Sequence, residues 1–121
     1  MGRSKLSGAW GEALAAEYLR KKRFTIVAAG YHCRFGEIDL IAEHGGRYCF
    51  VEVKLRTNTE HGLPREFVHA AKQQRLRSTA QFFISEHDLD DAPMQFDVAE
   101  VYTDCTRSAA ATRIEYIENA F

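Results

Sequence analysis

The stretch GEIDLIAEHGGRYCFVEVK, residues 36–54, decides the fold. It reads as two strands, Glu37 to Glu43 and Arg47 to Leu55, joined by Gly45-Gly46, a dipeptide suited to the positive φ angles of a two-residue hairpin turn. Such a turn pairs His44 with Arg47, and the residue numbers of each further pair sum to 91. Asp39 then falls opposite Glu52, and Glu37 opposite Lys54. Side chains alternate between the faces of a strand. Glu37, Asp39, Glu52 and Lys54 therefore share one face, and Ile38, Leu40, Val51 and Val53 the other, apolar one. A three-residue turn would slip this register by one.

Two carboxylates opposed across a hairpin repel each other, and a strand pair selected for stability alone avoids this. A divalent cation between Asp39 and Glu52 removes the conflict, because Mg2+ and Mn2+ are held by one or two carboxylates plus waters and phosphate oxygens. Lys54 shares the face of Glu52 and can orient or deprotonate a water, or neutralise charge developing on a phosphate. The bland alternative is a hydrated hairpin side on which Glu37 and Lys54 form an ordinary cross-strand ion pair. Three features favour the site. The hairpin brings the residues together, and the flanking Ile41 and Phe50 are apolar, so the face is partly covered. Glu12, beside the small Ala15 and Ala16, can approach the sheet from a first helix.

That first helix is expected from about Ser7, a reasonable N-cap, to Lys22. Trp10, Leu14 and Tyr18 recur every four residues, with Ala15 and Leu19 beside them. Arg20, Lys21, Lys22 and Arg23 suit the negative end of the helix dipole or a phosphate contact. A strand is expected over Phe24 to Ala29, and Gly30 to Gly36 is a connection or an irregular continuation of it. Thr57 to Pro64 reads as a loop, and Arg65 to Ser85 as a helix with Phe67, Ala70, Ala71, Ala80, Phe83 and Ile84 on its apolar face. After an acidic loop, strands are expected over Met94 to Tyr102 and Arg113 to Ile117. The order predicts an α/β domain around a central mixed sheet.

The 121 residues fit one domain, 1–121, and the 45% apolar and 27% charged fractions are those of an ordinary globular chain. No run reaches the length of a membrane span, and Glu12 and Glu17 interrupt any signal-peptide core, so a cytoplasmic protein is expected. Cys33, Cys49 and Cys105 lack zinc-ligand spacing and read as reduced thiols, and the five histidines show no ligand spacing. No phosphate-binding glycine loop or nucleophile elbow occurs. The net charge of −1 hides an asymmetry: residues 1–77 carry 14 Lys and Arg against 8 Asp and Glu, while residues 78–121 carry 2 against 9. A basic surface for a polyanion is one reading of this, and solvated charge the other.

GAWGEALAAEYL (8–19), CRFGEIDLIA (33–42), FVEVKLR (50–56), AKQQRL (71–76), FDV (96–98) and the terminal NAF (119–121) together resemble the YraN family of bacterial proteins, regarded as endonucleases. That family is similar in turn to archaeal Holliday-junction resolvases. The resemblance implies a restriction-endonuclease-like, PD-(D/E)xK fold, with a central mixed sheet flanked by helices. It implies Asp39 and Glu52 as ligands of Mg2+ or Mn2+, Lys54 as the catalytic lysine, and Glu12 as the first-helix acid completing the site. Arg34, Lys72 and Gln73 are the expected nucleic-acid contacts, DNA being favoured over RNA, and the related resolvases work as dimers, which points to a homodimer. Gly30 and Gln95 depart from the family's frequent Asn and Arg, which touches substrate contacts rather than the acids.

The leading expectation is a metal-dependent endonuclease acting on structured or branched DNA. A non-catalytic nucleic-acid-binding module of the same fold is the alternative. Retention of Glu12, Asp39, Glu52 and Lys54 and the near-neutral charge both argue against it. A scaffold acting through the acidic C-terminal half is a third reading.

Overall fold

In the computed structural model, the structure describes residues 2–57, 68–103 and 112–121 and, within these, the side chains of 8–56, 68–103 and 112–121. The elements run α1 (Gly2–Lys21), β1 (Thr25–Cys33), β2 (Gly36–His44), β3 (Arg47–Thr57), α2 (Ala70–Glu86), β4 (Met94–Thr103) and β5 (Arg113–Ile117). The strands form one mixed sheet in the order β1-β2-β3-β4-β5. All neighbours are antiparallel except β3 and β4, which are parallel. A parallel pair needs a crossover connection, and α2 lies within it. The expected α/β architecture is therefore present. No helix among the described residues is long and apolar enough to cross a membrane.

The helices cover opposite faces. On one, Ala15, Ala16 and Leu19 of α1 pack against Leu40, Ala42, Cys49, Val51 and Ala99. On the other, Leu76, Ala80, Phe83 and Ile84 of α2 pack against Ile38, Ile41, Phe50, Phe96 and Val98. β4 is buried from Gln95 to Thr103, as a strand between two helix layers must be.

Several boundaries differ from expectation. α1 is already helical at Gly2, so Ser7 lies inside it and is not its N-cap. Its buried face centres on Gly11, Ala15, Ala16 and Leu19, with Trp10, Leu14 and Tyr18 half-buried beside them. Small residues let the helix axis approach the sheet closely, and the larger side chains then flank the contact. β1 takes the irregular continuation: its pairing with β2 shifts between Ile26 and Ala28, and Gly30 has φ +67°. α2 starts at Ala70, after an extended His69. Ala70 and Ala71, expected on the apolar face, are exposed, and Leu76 and Thr79, not expected there, are buried with Ala80, Phe83 and Ile84. The expected loop at 57–64, the helix start at 65–67, Cys105 and His61 lie wholly or mainly outside the described residues.

The hairpin follows the predicted register where it is built. His44↔Arg47, Glu43↔Tyr48, Ala42↔Cys49, Ile41↔Phe50 and Leu40↔Val51 are paired around Gly45 and Gly46, whose φ angles are +59° and +84°. Beyond Leu40↔Val51 the ladder ends. β2 stays with β1 through Tyr31↔Ile38 and His32↔Glu37, while β3 continues along β4 through Glu52↔Val98 and Lys54↔Glu100. Asp39 is thus not laddered to Glu52, nor Glu37 to Lys54. Ile38 also leaves the face of Leu40 and joins the α2-side core. Strict alternation requires an unbroken extended backbone, and here β2 parts from β3 at Asp39.

Candidate active site

The parting of β2 and β3 creates the site. Where a backbone carbonyl of β2 would receive the Val53 N–H, Asp39 Oδ2 accepts it instead, at 2.7 Å. The carboxyl thereby holds one position in the gap. Glu52 projects from β3 with only 7% exposure. Glu37, Asp39 and Glu52 line one open cavity of about 350 Å3, whose other walls are Gly36, Lys72, Arg75 and Leu76.

Gly36 brings α2 onto this cavity. Its φ is +148°, and a Cβ there would meet Thr79 Oγ1 at 3.0 Å and Arg75 Cβ at 3.7 Å. Thr79 is itself fixed by donating to the Arg75 carbonyl at 2.8 Å. A side chain at position 36 would push α2 outward, taking Lys72 and Arg75 with it.

Glu12 reaches the gap from α1. It lies on the helix's inner face, one turn before Ala15 and Ala16, and hydrogen-bonds the Asp39 carboxyl. A hydrogen bond between two carboxyl groups requires one proton. Burial, and then the negative charge of Glu52, push the Asp39 carboxyl up to about 7; Glu12 adds to this, while the Val53 N–H and Lys72 oppose it. Burial also raises Glu12, helped by the charges of Glu37 and Glu52 and opposed by its hydrogen bond to Asp39. The Asp39 carboxyl is thereby held toward its protonated form near neutral pH.

Glu52 is neutralised differently. Lys72 Nζ donates to Glu52 Oε2 at 2.6 Å. The ammonium at the acids is therefore that of Lys72, on α2. Lys54 is half-buried, stands in register with Glu100, and is not among the residues lining the cavity.

Of the expected nucleic-acid contacts, Lys72 is in the site. Gln73 donates from Nε2 to the Val68 carbonyl at 2.8 Å, tying down the start of α2. Arg34 is exposed in the β1–β2 turn, its guanidinium 4.9 Å from the Phe35 ring centroid. Arg75, an exposed residue of α2, also lines the cavity. With period 3.6, position 75 falls beside Lys72 on one side of α2, but placing that side over the acids needs the tertiary structure. Among the described residues, no group of three or more His, Cys, Asp or Glu side chains stands ready to hold a metal ion.

Two buried acids of β4 were missed. Asp97, fully buried, accepts from Gln95 Nε2 at 3.0 and 3.1 Å, from the Asn119 N–H at 2.9 Å, and from the Tyr116 hydroxyl. The Cys49 thiol also bonds it, and burial followed by the Asp97 charge push that thiol up to about 12. Glu100, also fully buried, receives Tyr102 Oη at 3.1 Å and Arg56 Nε at 3.4 Å. The available signal was a charge inside each of the apolar runs FDV and AEV, which a sandwiched strand can tolerate only with partners.

The sequence matches the profile of the Uncharacterised protein family UPF0102 over residues 11–101. It is 39% identical over 117 residues to a UPF0102 protein of Caldanaerobacter subterraneus subsp. tengcongensis, covering 97% of this chain and 95% of that one. It is 40% identical over 118 residues to a UPF0102 protein of Alkaliphilus metalliredigens, covering 98% and 99%. A UPF0102 protein of Methylobacillus flagellatus is 40% identical over 110 residues, covering 91% of each chain. With agreement extending nearly end to end, the chain belongs to the UPF0102 family.

Proposed function

We propose that this protein is a divalent-metal-dependent endonuclease of the PD-(D/E)xK type, hydrolysing phosphodiester bonds in structured or branched DNA. The observation that carries the reading is the broken ladder at Asp39. It turns two strand carboxylates into walls of one open cavity, where burial and mutual repulsion raise the Asp39 carboxyl to about 7. Stability alone gives no reason for such a cluster.

The donors fit a hard cation. Asp39 and Glu52 are oxygen ligands with excess negative charge between them, and Mg2+ and Mn2+ characteristically take one or two carboxylates and fill the remaining positions with waters and phosphate. Asp39 and Glu52 would hold the ion. When bound, it would supply charge neutralisation and an acidified water at neutral pH. The chain's own groups do the rest. Glu12 stands beside Asp39, and its negative charge favours the protonated form of Asp39 in the free protein. Arg75 and Lys72 offer positive charge to a phosphate entering the cavity. Lys54 does not line the cavity, so the charge that develops on the phosphate is met there by Lys72 and Arg75.

The test is cleavage of branched, single-stranded and duplex DNA with Mg2+ or Mn2+, by wild type and by Asp39→Ala. Cleavage by the wild type alone supports the reading. Equal cleavage by both, or none by either, counts against it. The Lys72–Glu52 ion pair favours a second reading, a nucleic-acid-binding module whose acids are neutralised internally. That reading requires DNA binding that neither Mg2+ nor Asp39→Ala alters.

A further inference from the structure

Among the described residues two ion pairs fall on buried glutamates, and they differ in one respect. In the Arg56–Glu100 pair both side chains are enclosed, at 13% and 1% exposure. In the Lys72–Glu52 pair the acid is enclosed at 9%, but the lysine side chain is 42% exposed. Arg56 is fixed by its surroundings, whereas Lys72 has an open path to solvent along a flexible four-carbon stem.

The position of Lys72 does not serve its helix. It is the third residue of α2, which has no acidic residue in its first turn. A cation there opposes the helix dipole, whose positive end lies at the N-terminus. The compensating contact is Glu52. Yet a single positive charge balances only one of Asp39 and Glu52, two of the three acids that line the cavity, and the charge of Glu52 pushes the Asp39 carboxyl up. A divalent ion balances both.

We propose that Lys72 is the built-in counter-ion of Glu52, displaced when a divalent cation enters, and that its freed ammonium then binds a phosphate oxygen beside Arg75. The inference rests on the metal-dependent reading above. It makes Lys72 a competitor of the metal and a ligand of the nucleic-acid backbone in turn. Metal entry and phosphate binding are thereby coupled through one side chain, since the cation that leaves Glu52 becomes available at the cavity mouth. Arg75 lines the same cavity, so the phosphate meets two positive groups in place of one.

The experiment measures Mn2+ binding, by the electron paramagnetic resonance signal of the free ion, to the wild type, Lys72→Met, Lys72→Arg and Asp39→Asn. Lys72→Met should bind Mn2+ about fivefold more tightly than the wild type, the factor expected from removing one partly exposed ion pair. Lys72→Arg keeps the competing charge and should stay near the wild type, and Asp39→Asn should lose binding. Equal or weaker binding by Lys72→Met, with the wild type binding and Asp39→Asn not, overturns the competition while leaving the metal reading intact. No binding by any of the four, or undiminished binding by Asp39→Asn, overturns the metal reading and this inference with it. Affinity for a branched DNA, measured by fluorescence anisotropy with Ca2+ in place of Mn2+, should fall about tenfold in Lys72→Met, the scale of losing one charge-assisted phosphate contact. Unchanged affinity overturns the phosphate role. Lys72→Gln repeats each measurement should Lys72→Met prove poorly folded.

Discussion

Asp39 and Asp97 are both carboxylates of the same sheet, and their surroundings are opposite. Asp97 has four kinds of donor directed at it: the Gln95 amide, the Tyr116 hydroxyl, the Asn119 N–H and the Cys49 thiol. Asp39 has one backbone donor, Val53 N–H, and two acids, Glu12 and Glu52, acting against its ionised form. One neighbourhood is complete without any ligand, and the other is short of positive charge. Burial does not separate a structural carboxylate from a reactive one. The sign of the neighbouring charge does, and whether the group borders open space.

The largest expected effect falls on the Asp39 side. Under the proposed function, Asp39→Asn and Glu52→Gln each reduce metal-dependent DNA cleavage by about a thousandfold or more, in single-turnover assays. Cleavage within tenfold of wild type in both variants would remove the contrast.

The next concerns Asp97. Asp97→Ala strands the Gln95 amide, the Tyr116 hydroxyl and the Asn119 N–H in a buried site. It should cost about 3 kcal/mol of stability, read from urea unfolding. A loss under about 1 kcal/mol would mean that water reaches these donors, and Asp97 would no longer stand as the satisfied member of the pair.

Gly36→Ala tests whether α2 must sit close to the acids. The positive φ and the 3.0 Å approach to Thr79 Oγ1 predict a loss of about 2 kcal/mol. Under the proposed function cleavage should fall too, through displacement of Lys72 and Arg75. Wild-type stability in this variant would show that the helix yields without cost.

The smallest effect has the opposite sign. In the folded protein the Asp39 carboxyl stands at about 7, above the value of about 4 for an unfolded aspartate. Between these values the folded state holds more protons than the unfolded one, so this group's contribution to stability declines as pH rises from about 4 to about 7. Glu12, also raised, acts in the same direction. The amide of Asp39→Asn can accept from the Val53 N–H and donate to Glu12 without bearing charge. That variant should lose most of this slope and be about 1 kcal/mol more stable than the metal-free wild type at pH 8. Denaturant midpoints across pH measure it, and a clear loss of stability at pH 8 would refute the repulsion.

How much of this could be read beforehand follows from particular residues. Gly45-Gly46 specified the turn, and the register ran as expected from His44↔Arg47 to Leu40↔Val51 because turn type and register are linked. β5 spans Arg113–Ile117, the bounds expected for it. The ladder break at Asp39 was not visible, because a side chain replacing a backbone acceptor leaves no mark in periodicity. Ile38 was assigned to the wrong face for that reason. Cys33 and Cys49 are free thiols.

Local order and short-range pairing belonged to the sequence by itself: a tight glycine turn, alternating strands, an inner helix face carrying Glu12, and acids spaced to meet. These depend on neighbours in the chain and on fixed backbone periods. Only the tertiary structure decided which charges meet. It placed Lys72 rather than Lys54 against Glu52, brought Glu12 to Asp39, and surrounded Asp97 with donors from β3, β4, β5 and the C-terminal turn. Those contacts join residues far apart in the chain, and their energies depend on distance and burial, which exist only once the sheet has its helices on both faces.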